Sequence, residues 1–274
     1  MPRPPLAAGL LEVLSCTDAM EKARLARAVV ANWRAGAYEG RRGTCGGALP
    51  DYPGRPEKPE LRAPRDMPRR SAGGEKGRFA LLHALAHIEL NAIDLAFDLV
   101  ARFGLANQSD DFIDDWLGVG DDEARHFMMV ASRLEELGGH YGDLPAHAGL
   151  WEAAEKTKDD LLGRLAVVPM VLEARGLDVT PGMITRLRQS GDEASARMIG
   201  IIYCEEQDHV RMGVKWFTHF AAMNGGDPSE IFHYMVRTYF RGALKPPFNH
   251  EARENSGLLP SFYEPLSIKN DNRL

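Results

Sequence analysis

The stretch DDEARH at residues 121–126 carries the pattern that decides the fold of this chain. Glu123 precedes His126 by three residues, and EEQDH at residues 205–209 repeats the arrangement with Glu206 and His209. Residues three apart in a helix lie on one face, about one turn from each other, so each pair can bind one ligand. Two such pairs indicate a paired site and predict that other helices supply the remaining partners.

Long helical patterns surround both pairs. The stretch RFALLHALAHIELNAIDLAFDLVARF contains no Gly or Pro and keeps apolar residues at three- and four-residue steps, which is typical of a helix. Strand patterns do not compete with these helices, so the predicted fold class is all-α. The predicted long helices cover residues 78–103, 110–137, 149–175 and 192–223.

Two prolines interrupt the third of these helices. Pro169 predicts a kink, because proline removes one helical hydrogen bond. Thr180 is expected to cap, and Pro181 to begin, a short separate helix that ends near residue 189.

Two glutamates extend the repeated pattern. Glu89 lies 34 residues before Glu123, and Glu173 lies 33 residues before Glu206, each within an apolar stretch. Residues at the same height in antiparallel helices lie equally far from the turn that joins them. The turns are therefore expected near residues 107 and 190, inside the polar segments ANQSDD and RQSGDE.

The chain is thus predicted to form two helical hairpins that each carry Glu…Glu-x-x-His, joined by a longer crossover around residues 138–148. A glutamate from each of two helices and a Glu-x-x-His pair from each of two others are the ligands of carboxylate-bridged dinuclear metal sites. The predicted metal ligands are Glu89, Glu123, His126, Glu173, Glu206 and His209.

The chemistry of this ligand set favours particular metals. Four carboxylates facing an apolar core are costly to ionise, and two divalent cations offset that cost. Carboxylate oxygen together with imidazole nitrogen suits Fe(II) or Mn(II), whereas the lack of thiolate ligands argues against a closed structural zinc site. Two Fe ions are expected, with Mn or a mixed Mn/Fe pair as alternatives.

Polar neighbours of the motifs have candidate supporting roles. Asp122 and Glu205 are each expected to accept a hydrogen bond from a ligand histidine of the opposing helix. Tyr203 lies one turn before the second motif and either lines a cavity or packs in the core. His83 and His87 project away from the ligand face and are interpreted as core or interhelix polar groups.

Composition limits the classes of protein and of partner. The 274 residues are 44% hydrophobic and 26% charged, which is ordinary for a soluble globular protein, and the formal charge of −6 argues against a protein that coats nucleic acid. An apolar run of 18 residues is missing, so no membrane span is expected. The three cysteines form no CxxC pair, and a reducing cytoplasm is the expected location. The start MPRPPLAAGLLEVLSC imitates a lipoprotein signal, but Glu12 favours an amphipathic first helix.

Four regions are predicted along the chain. The segment between residues 41 and 78 holds ten Lys or Arg against five Asp or Glu, and it either contacts phosphate or forms a solvated strap across an acidic domain. The regions are an N-terminal helical extension at 1–36, a Pro/Gly-rich strap at 37–77, a four-helix bundle at 78–225, and a short helix with an irregular tail at 226–274.

The same six residues resemble the ligand set of the ferritin-like superfamily of di-iron and di-manganese carboxylate proteins. The phrases LLHALAHIELNAIDLA, DDWLGVGDDEARHF, VLEARGLDVTPGM and GALKPPFNHEAR are similar to a bacterial ferritin-like family classed as a domain of unknown function, over roughly residues 56–265. The resemblance implies a ferritin-like four-helix bundle with a long crossover. It implies these six residues as metal ligands and leaves the substrate undefined.

Two classes of function follow from the resemblance. The first is a non-haem di-iron oxygenase or oxidase that uses O₂ and an external electron donor to hydroxylate or oxidise an unidentified small molecule or nucleic acid, including a tRNA-modifying hydroxylase. The second is iron binding, storage or detoxification without an organic substrate. Metals that only stabilise the bundle are a third alternative, and a homodimer is one option for the assembly.

Overall fold

The structure is a computed structural model that describes residues 3–39, 49–63, 66–67, 74–105 and 108–268. Within these ranges the chain is helical, with isolated β-bridges and no β-strand, so the predicted all-α class is confirmed. The predicted turn near residue 107 and much of the basic segment at 41–78 lie outside the described residues. None of the described helices is long and apolar enough to cross a membrane.

The chain forms two compact units, Met1–Glu155 and Lys156–Leu274. The first unit contains α1 to α5, and a π-helical segment at Val100–Gly104 follows α3. Its helices are α1 (Leu6–Ser15), α2 (Ala19–Arg34), α3 (Gly74–Leu99), α4 (Asp110–Glu136) and α5 (Gly149–Lys156).

The second unit contains α6 to α11, a π-helical segment at Val168–Glu173 and a final 3₁₀ turn at Glu264–Leu266. Its helices are α6 (Leu161–Val167), α7 (Ala174–Gln189), α8 (Glu193–Met223), α9 (Pro228–Tyr239), α10 (His250–Asn255) and α11 (Pro260–Tyr263). The combination of the two hairpins into one four-helix bundle stays a prediction.

The N-terminal helices agree with their sequence pattern. Helix α1 buries Leu6, Leu10 and Leu14 on one face, as an amphipathic helix does. The Asp18 carboxylate accepts a hydrogen bond of 2.8 Å from the backbone N–H of Glu21 at the start of α2 and so caps this helix.

A buried ion pair joins α2 to α3. The Lys22 ammonium contacts the Asp94 carboxylate and also donates to the Gly54 carbonyl at 2.8 Å, and both charged side chains are almost fully buried. Burial raises the pKa of Asp94 to about 6, although Lys22 opposes this rise, so the Asp94 carboxylate is ionised at neutral pH. The extended segment that contains Gly54 is thereby tied to the helices beneath it.

Breaking this pair should destabilise the fold strongly. We expect Lys22→Met alone to lower the free energy of unfolding by about 3–5 kcal/mol, because it leaves the Asp94 carboxylate buried beside an apolar side chain. The double variant Lys22→Met/Asp94→Leu should recover most of that loss, since it removes both charges. Urea unfolding at pH 7.5 measures both effects, and a single variant as stable as the native protein would contradict this interpretation.

Helices α3 and α4 pack against each other as the first hairpin, and Gly120 lies at a close contact between them. A Cβ added to Gly120 would lie 2.6 Å from the Phe97 ring, which is too close for any side chain. Gly120 lies one turn before Glu123, so this close approach brings the first motif against α3.

The predicted third long helix is not continuous. The structure breaks it between α5 and α6, where Asp160 has an extended backbone (φ −134°, ψ 105°) and its side chain accepts a hydrogen bond from the Gly163 N–H at 2.9 Å. The buried Arg164 side chain donates to the Thr157 hydroxyl at 2.9 Å and so stabilises the break. The prediction of one helix from 149 to 175 was wrong at this point, because local caps compete with the helical ladder.

The predicted kink at Pro169 is a π-helical turn. Pro169 is the second residue of the segment Val168–Glu173, and the helix continues on both sides of it. Proline lacks the N–H that the α-helical ladder needs, and a π-turn redistributes the remaining hydrogen bonds over an additional residue.

The predicted break at Thr180 and Pro181 was wrong, because α7 runs through Pro181 without interruption. A proline leaves the carbonyl four residues earlier without its helical donor. That carbonyl belongs to Leu177, and it accepts a hydrogen bond of 3.1 Å from the side-chain amide of Asn249. A distant segment therefore supplies the hydrogen bond that the helix itself cannot form at Pro181.

The C-terminal region is more regular than the predicted irregular tail. Asp227 caps α9 by accepting from the backbone N–H groups of Ser229 and Glu230. Asn249 caps α10 by accepting from the Ala252 N–H at 3.2 Å.

Candidate metal centre

The first unit brings three of the predicted metal ligands together. Nδ1 of His126 lies 3.3 Å from a carboxylate oxygen of Glu89 and 3.7 Å from one of Glu123. The ligand atoms of these three residues all lie within 4.8 Å of one another. The side chains come from the middle of α3 and of α4, so the hairpin itself forms the cluster.

The cluster is buried. Exposed fractions of the Glu89, Glu123 and His126 side chains are 2%, 1% and 0%. Burial alone would lower the pKa of His126, but the hydrogen bonds and negative charges of Glu123 and Glu89 outweigh it and raise that pKa to about 11. A proton on His126 therefore supplies positive charge to the two carboxylates in the metal-free protein.

This donor set fits a divalent metal ion. An ion bound at about 2.0–2.2 Å from oxygen and nitrogen holds its ligand atoms about 3–4 Å apart, which matches the spacing in the cluster. A divalent ion would also replace the proton of His126 as the source of positive charge.

The second unit contains the matching residues. Glu206 and His209 lie one turn apart on α8, with a carboxylate oxygen 3.6 Å from Nδ1 of His209. The His209 side chain is 2% exposed and that of Glu206 is 16% exposed. Glu173 is half-buried at the last residue of the π-helical segment.

A close helix approach fixes the π-helical segment against α8. A Cβ added to Gly213 would lie 2.5 Å from Cβ of Pro169, so only glycine fits there. Gly213 lies four residues after His209 and therefore on the same side of α8. The turn that ends in Glu173 is thereby held against the helix that carries the second motif.

The predicted supporting residues have varied surroundings. The Asp122 carboxylate accepts a hydrogen bond of 3.0 Å from Arg125 on its own helix. Tyr203 is half-buried, and its hydroxyl accepts from the side-chain amide of Asn249 at 2.9 Å. Burial raises the pKa of Tyr203, so its phenol is neutral at physiological pH. Hydrogen bonds from Asp122 and Glu205 to the ligand histidines stay a prediction.

His83 and His87 are internal polar groups of the first unit, as expected. Nε2 of His83 accepts from the backbone N–H groups of Gly142 at 2.9 Å and of Leu144 at 3.3 Å. Nε2 of His87 lies 3.1 Å from the His147 carbonyl. Both histidines therefore hold the connection between α4 and α5 against α3.

A charged cluster in the second unit could not be recognised from the sequence. Asp178 accepts two hydrogen bonds from the buried Arg253 guanidinium, at 2.8 and 2.7 Å, and one from the backbone N–H of Asn249 at 2.9 Å. The signal in the sequence was weak, because a single aspartate in α7 and a single arginine some 75 residues later have no informative spacing.

Comparison with known proteins places the chain in a family. The family model described as "Protein of unknown function (DUF455)" matches residues 15–264. The chain belongs to this family. The family region includes α2, so it begins earlier than the resemblance over residues 56–265 indicated. The chain is 42% identical over 207 residues to an "Uncharacterized protein" of Haemophilus influenzae, which covers 74% of this chain and 72% of that relative. No solved structure matches the chain.

Proposed function

We propose that this DUF455 protein is a ferritin-like dinuclear-metal oxidoreductase that binds two iron ions and activates O₂ to hydroxylate or oxidise a substrate. One observation carries the proposal: two buried carboxylates and a buried imidazole meet on α3 and α4, with the atoms 3.3 and 3.7 Å apart. The equivalent Glu-x-x-His pair on α8 supports a second half of the dinuclear centre with the same kinds of ligand.

The six predicted ligands would be shared equally between the two helical hairpins. Each hairpin would supply two carboxylates and one imidazole, so the four negative charges balance two divalent ions. Three protein ligands per ion leave coordination positions open, as catalytic sites do and closed structural sites do not. The six residues are Glu89, Glu123, His126, Glu173, Glu206 and His209.

The surrounding side chains would keep the centre dry and fixed. Buried apolar residues lie one turn from the ligands on α3 and α4, among them Ala86, Ile93 and Val130. The six residues would hold a pair of ferrous ions that, when bound, would supply the chemistry of O₂ reduction and substrate oxidation. An external electron donor would then be needed to return the centre to the ferrous state.

Metal loading followed by exposure to O₂ tests this proposal. We expect protein loaded with Fe(II) without oxygen to hold about two iron ions per chain, as four carboxylates and two histidines require. With a reductant present, O₂ uptake should continue over many turnovers. Elemental analysis and an oxygen electrode measure the two quantities.

The same experiment separates the alternatives. Iron uptake far beyond two ions per chain, with growth of a mineral, would indicate storage instead. Two tightly held ions without any O₂ uptake would indicate that the metals only stabilise the fold. Either result would contradict the proposed oxidoreductase. Manganese loading in parallel distinguishes a di-iron from a di-manganese centre.

A further inference from the structure

The second unit contains a cavity of about 350 Å³ beside the π-helical segment. One wall is the stretch Met170–Leu172 together with the start of α7, and the other wall is the segment 240–248 that follows α9. This volume lies in the range of small-molecule sites, which is about 300–1,000 Å³. Glu173 directly follows this stretch of the wall in the sequence.

The buried part of both walls, which we call the floor of the cavity, is apolar. Met170 and Val171 are buried on the helical side, and Leu244 is buried on the opposite side. The Phe248 ring also lines the cavity. A compact apolar or aromatic group would therefore gain favourable burial there.

The charges that line the cavity are mainly positive. Its cationic residues are Arg175, Arg241, Lys245 and Arg253, and its acidic residue is Asp178. The cavity therefore presents a net charge of about +3, even though the whole chain is acidic. Such a concentration of positive charge on an acidic protein favours an anionic ligand.

Arg253 is built into the cavity wall. Its side chain is 3% exposed, and its guanidinium carbon Cζ lies 4.9 Å from the centre of the Phe248 ring and 4.5 Å from that of the Tyr263 ring. Its Nε and Nη2 atoms donate hydrogen bonds to Asp178. Its Nη1 atom is buried and has no hydrogen-bond acceptor among the residues that the structure describes. A buried guanidinium donor without an acceptor is costly, and an anionic oxygen would satisfy it.

Arg175 contributes charge at the same wall. Its Nη1 atom donates to the carbonyls of Lys245 at 2.8 Å and Pro247 at 3.2 Å, and it lies 3.3 Å from Asp178. Asp178 thus faces two guanidinium groups with a single negative charge. The pairing fixes the geometry of both arginines and leaves an excess of positive charge at the cavity.

We propose that this cavity binds a small organic anion, a molecule with one carboxylate or phosphate group on a compact apolar body. Arg253 and Arg175 would bind the anionic group, Arg241 and Lys245 would attract it at the exposed rim, and the apolar floor would hold the body of the molecule. The inference goes beyond the proposed oxidoreductase function and does not require it. If both hold, the cavity is the substrate site beside Glu173.

Isothermal titration calorimetry of the full chain with three probes tests the inference. Phenyl phosphate and benzoate carry the anionic group on an aromatic ring, and benzamide keeps the ring without the charge. We expect the two anions to bind at one site per chain and benzamide to bind at least about tenfold more weakly. A preference between phosphate and carboxylate tells which anionic group the site selects. Equal binding of benzamide and the anions, or no binding of either anion, would overturn the proposal.

Two variants keep the test independent of the fold, because Arg253 itself is buried and its replacement can unfold the unit. Arg241→Gln/Lys245→Gln removes two exposed charges and should weaken anion binding about tenfold. Ala243→Trp fills the cavity and should abolish binding of both anions. Arg197→Gln, an exposed cation on α8 outside the cavity, is the matched control and should bind as the native protein does.

Native affinity in both cavity variants would overturn the inference. The titrations use metal-free protein and repeat with iron-loaded protein. A lack of anion binding would therefore not contradict the proposed metal centre, and a failure to bind iron would not contradict the anion site.

Discussion

Replacing His126 by alanine is expected to remove at least one of the two metal ions and to slow O₂ uptake by at least about 100-fold. Changes to residues that only support a metal ligand commonly cost 10–100-fold in affinity or activity, and loss of the ligand itself should cost no less. His126 lies 3.3 and 3.7 Å from the two carboxylates of the first unit, so its replacement removes the imidazole of that cluster. The fold should survive, because alanine favours the helix.

Elemental analysis and oxygen uptake measure these losses, and circular dichroism reports the helices. The matched control is His140→Ala, which removes an exposed histidine of the same unit and should leave two ions bound. His209→Ala should reproduce the loss from the second unit, with the exposed His219 as its control. A full load of two ions in both His126→Ala and His209→Ala would refute the ligand assignment.

Replacing Glu123 by glutamine should retain the helices and lower the rate of O₂ uptake by at least about 100-fold. The amide has the shape of the carboxylate but no negative charge, so it binds a hard divalent cation weakly. The side chain is buried beside His126, and the isosteric change leaves no cavity behind. Oxygen uptake by iron-loaded protein in the presence of a reductant measures the effect.

Glu135→Gln provides the control for this change. Glu135 lies on the same helix, α4, and is 60% exposed, so the same chemical substitution should leave O₂ uptake unchanged. Undiminished uptake by Glu123→Gln, or an equal loss in both variants, would mean that the charge of Glu123 has no specific role in the reaction.

The helices and the spacing of the motifs could be predicted because both follow from local patterns. Apolar residues at three- and four-residue steps predicted α3, α4 and α8 to within a few residues. The predicted turn near residue 190 lies between α7, which ends at Gln189, and α8, which begins at Glu193. A pair of residues three apart on one helix needs no knowledge of the tertiary fold, which is why the geometry of Glu123 with His126 followed from the sequence.

Features that depend on distant partners could not be predicted. Pro181 reads as a helix break in any local pattern, and only the amide of Asn249, 72 residues from Leu177, explains why the helix continues. The break before Leu161 depends on the cap formed by Asp160 and on the buried contact between Arg164 and Thr157. A π-turn at Pro169, in place of a simple kink, reflects the packing against Gly213.

The charged cavity was missed for the same reason. Its cations come from α7, from the segment after α9 and from α10, and each of them is isolated in the sequence. The segment GALKPPFNHEAR contributed to the resemblance, but no local pattern showed that Phe248 and Arg253 would line a cavity with Met170.

The hydrogen bond between Asn249 and Leu177 also determines when α7 can complete its structure during synthesis on the ribosome. Helix α7 is synthesised long before residue 249 leaves the exit tunnel. Until then, only water can donate a hydrogen bond to the Leu177 carbonyl in its middle turn. The native turn can close only after residue 249 has left the exit tunnel. A nascent chain that stops short of Asn249 would therefore carry an α7 that is open at Pro181, whatever the state of the helices before it.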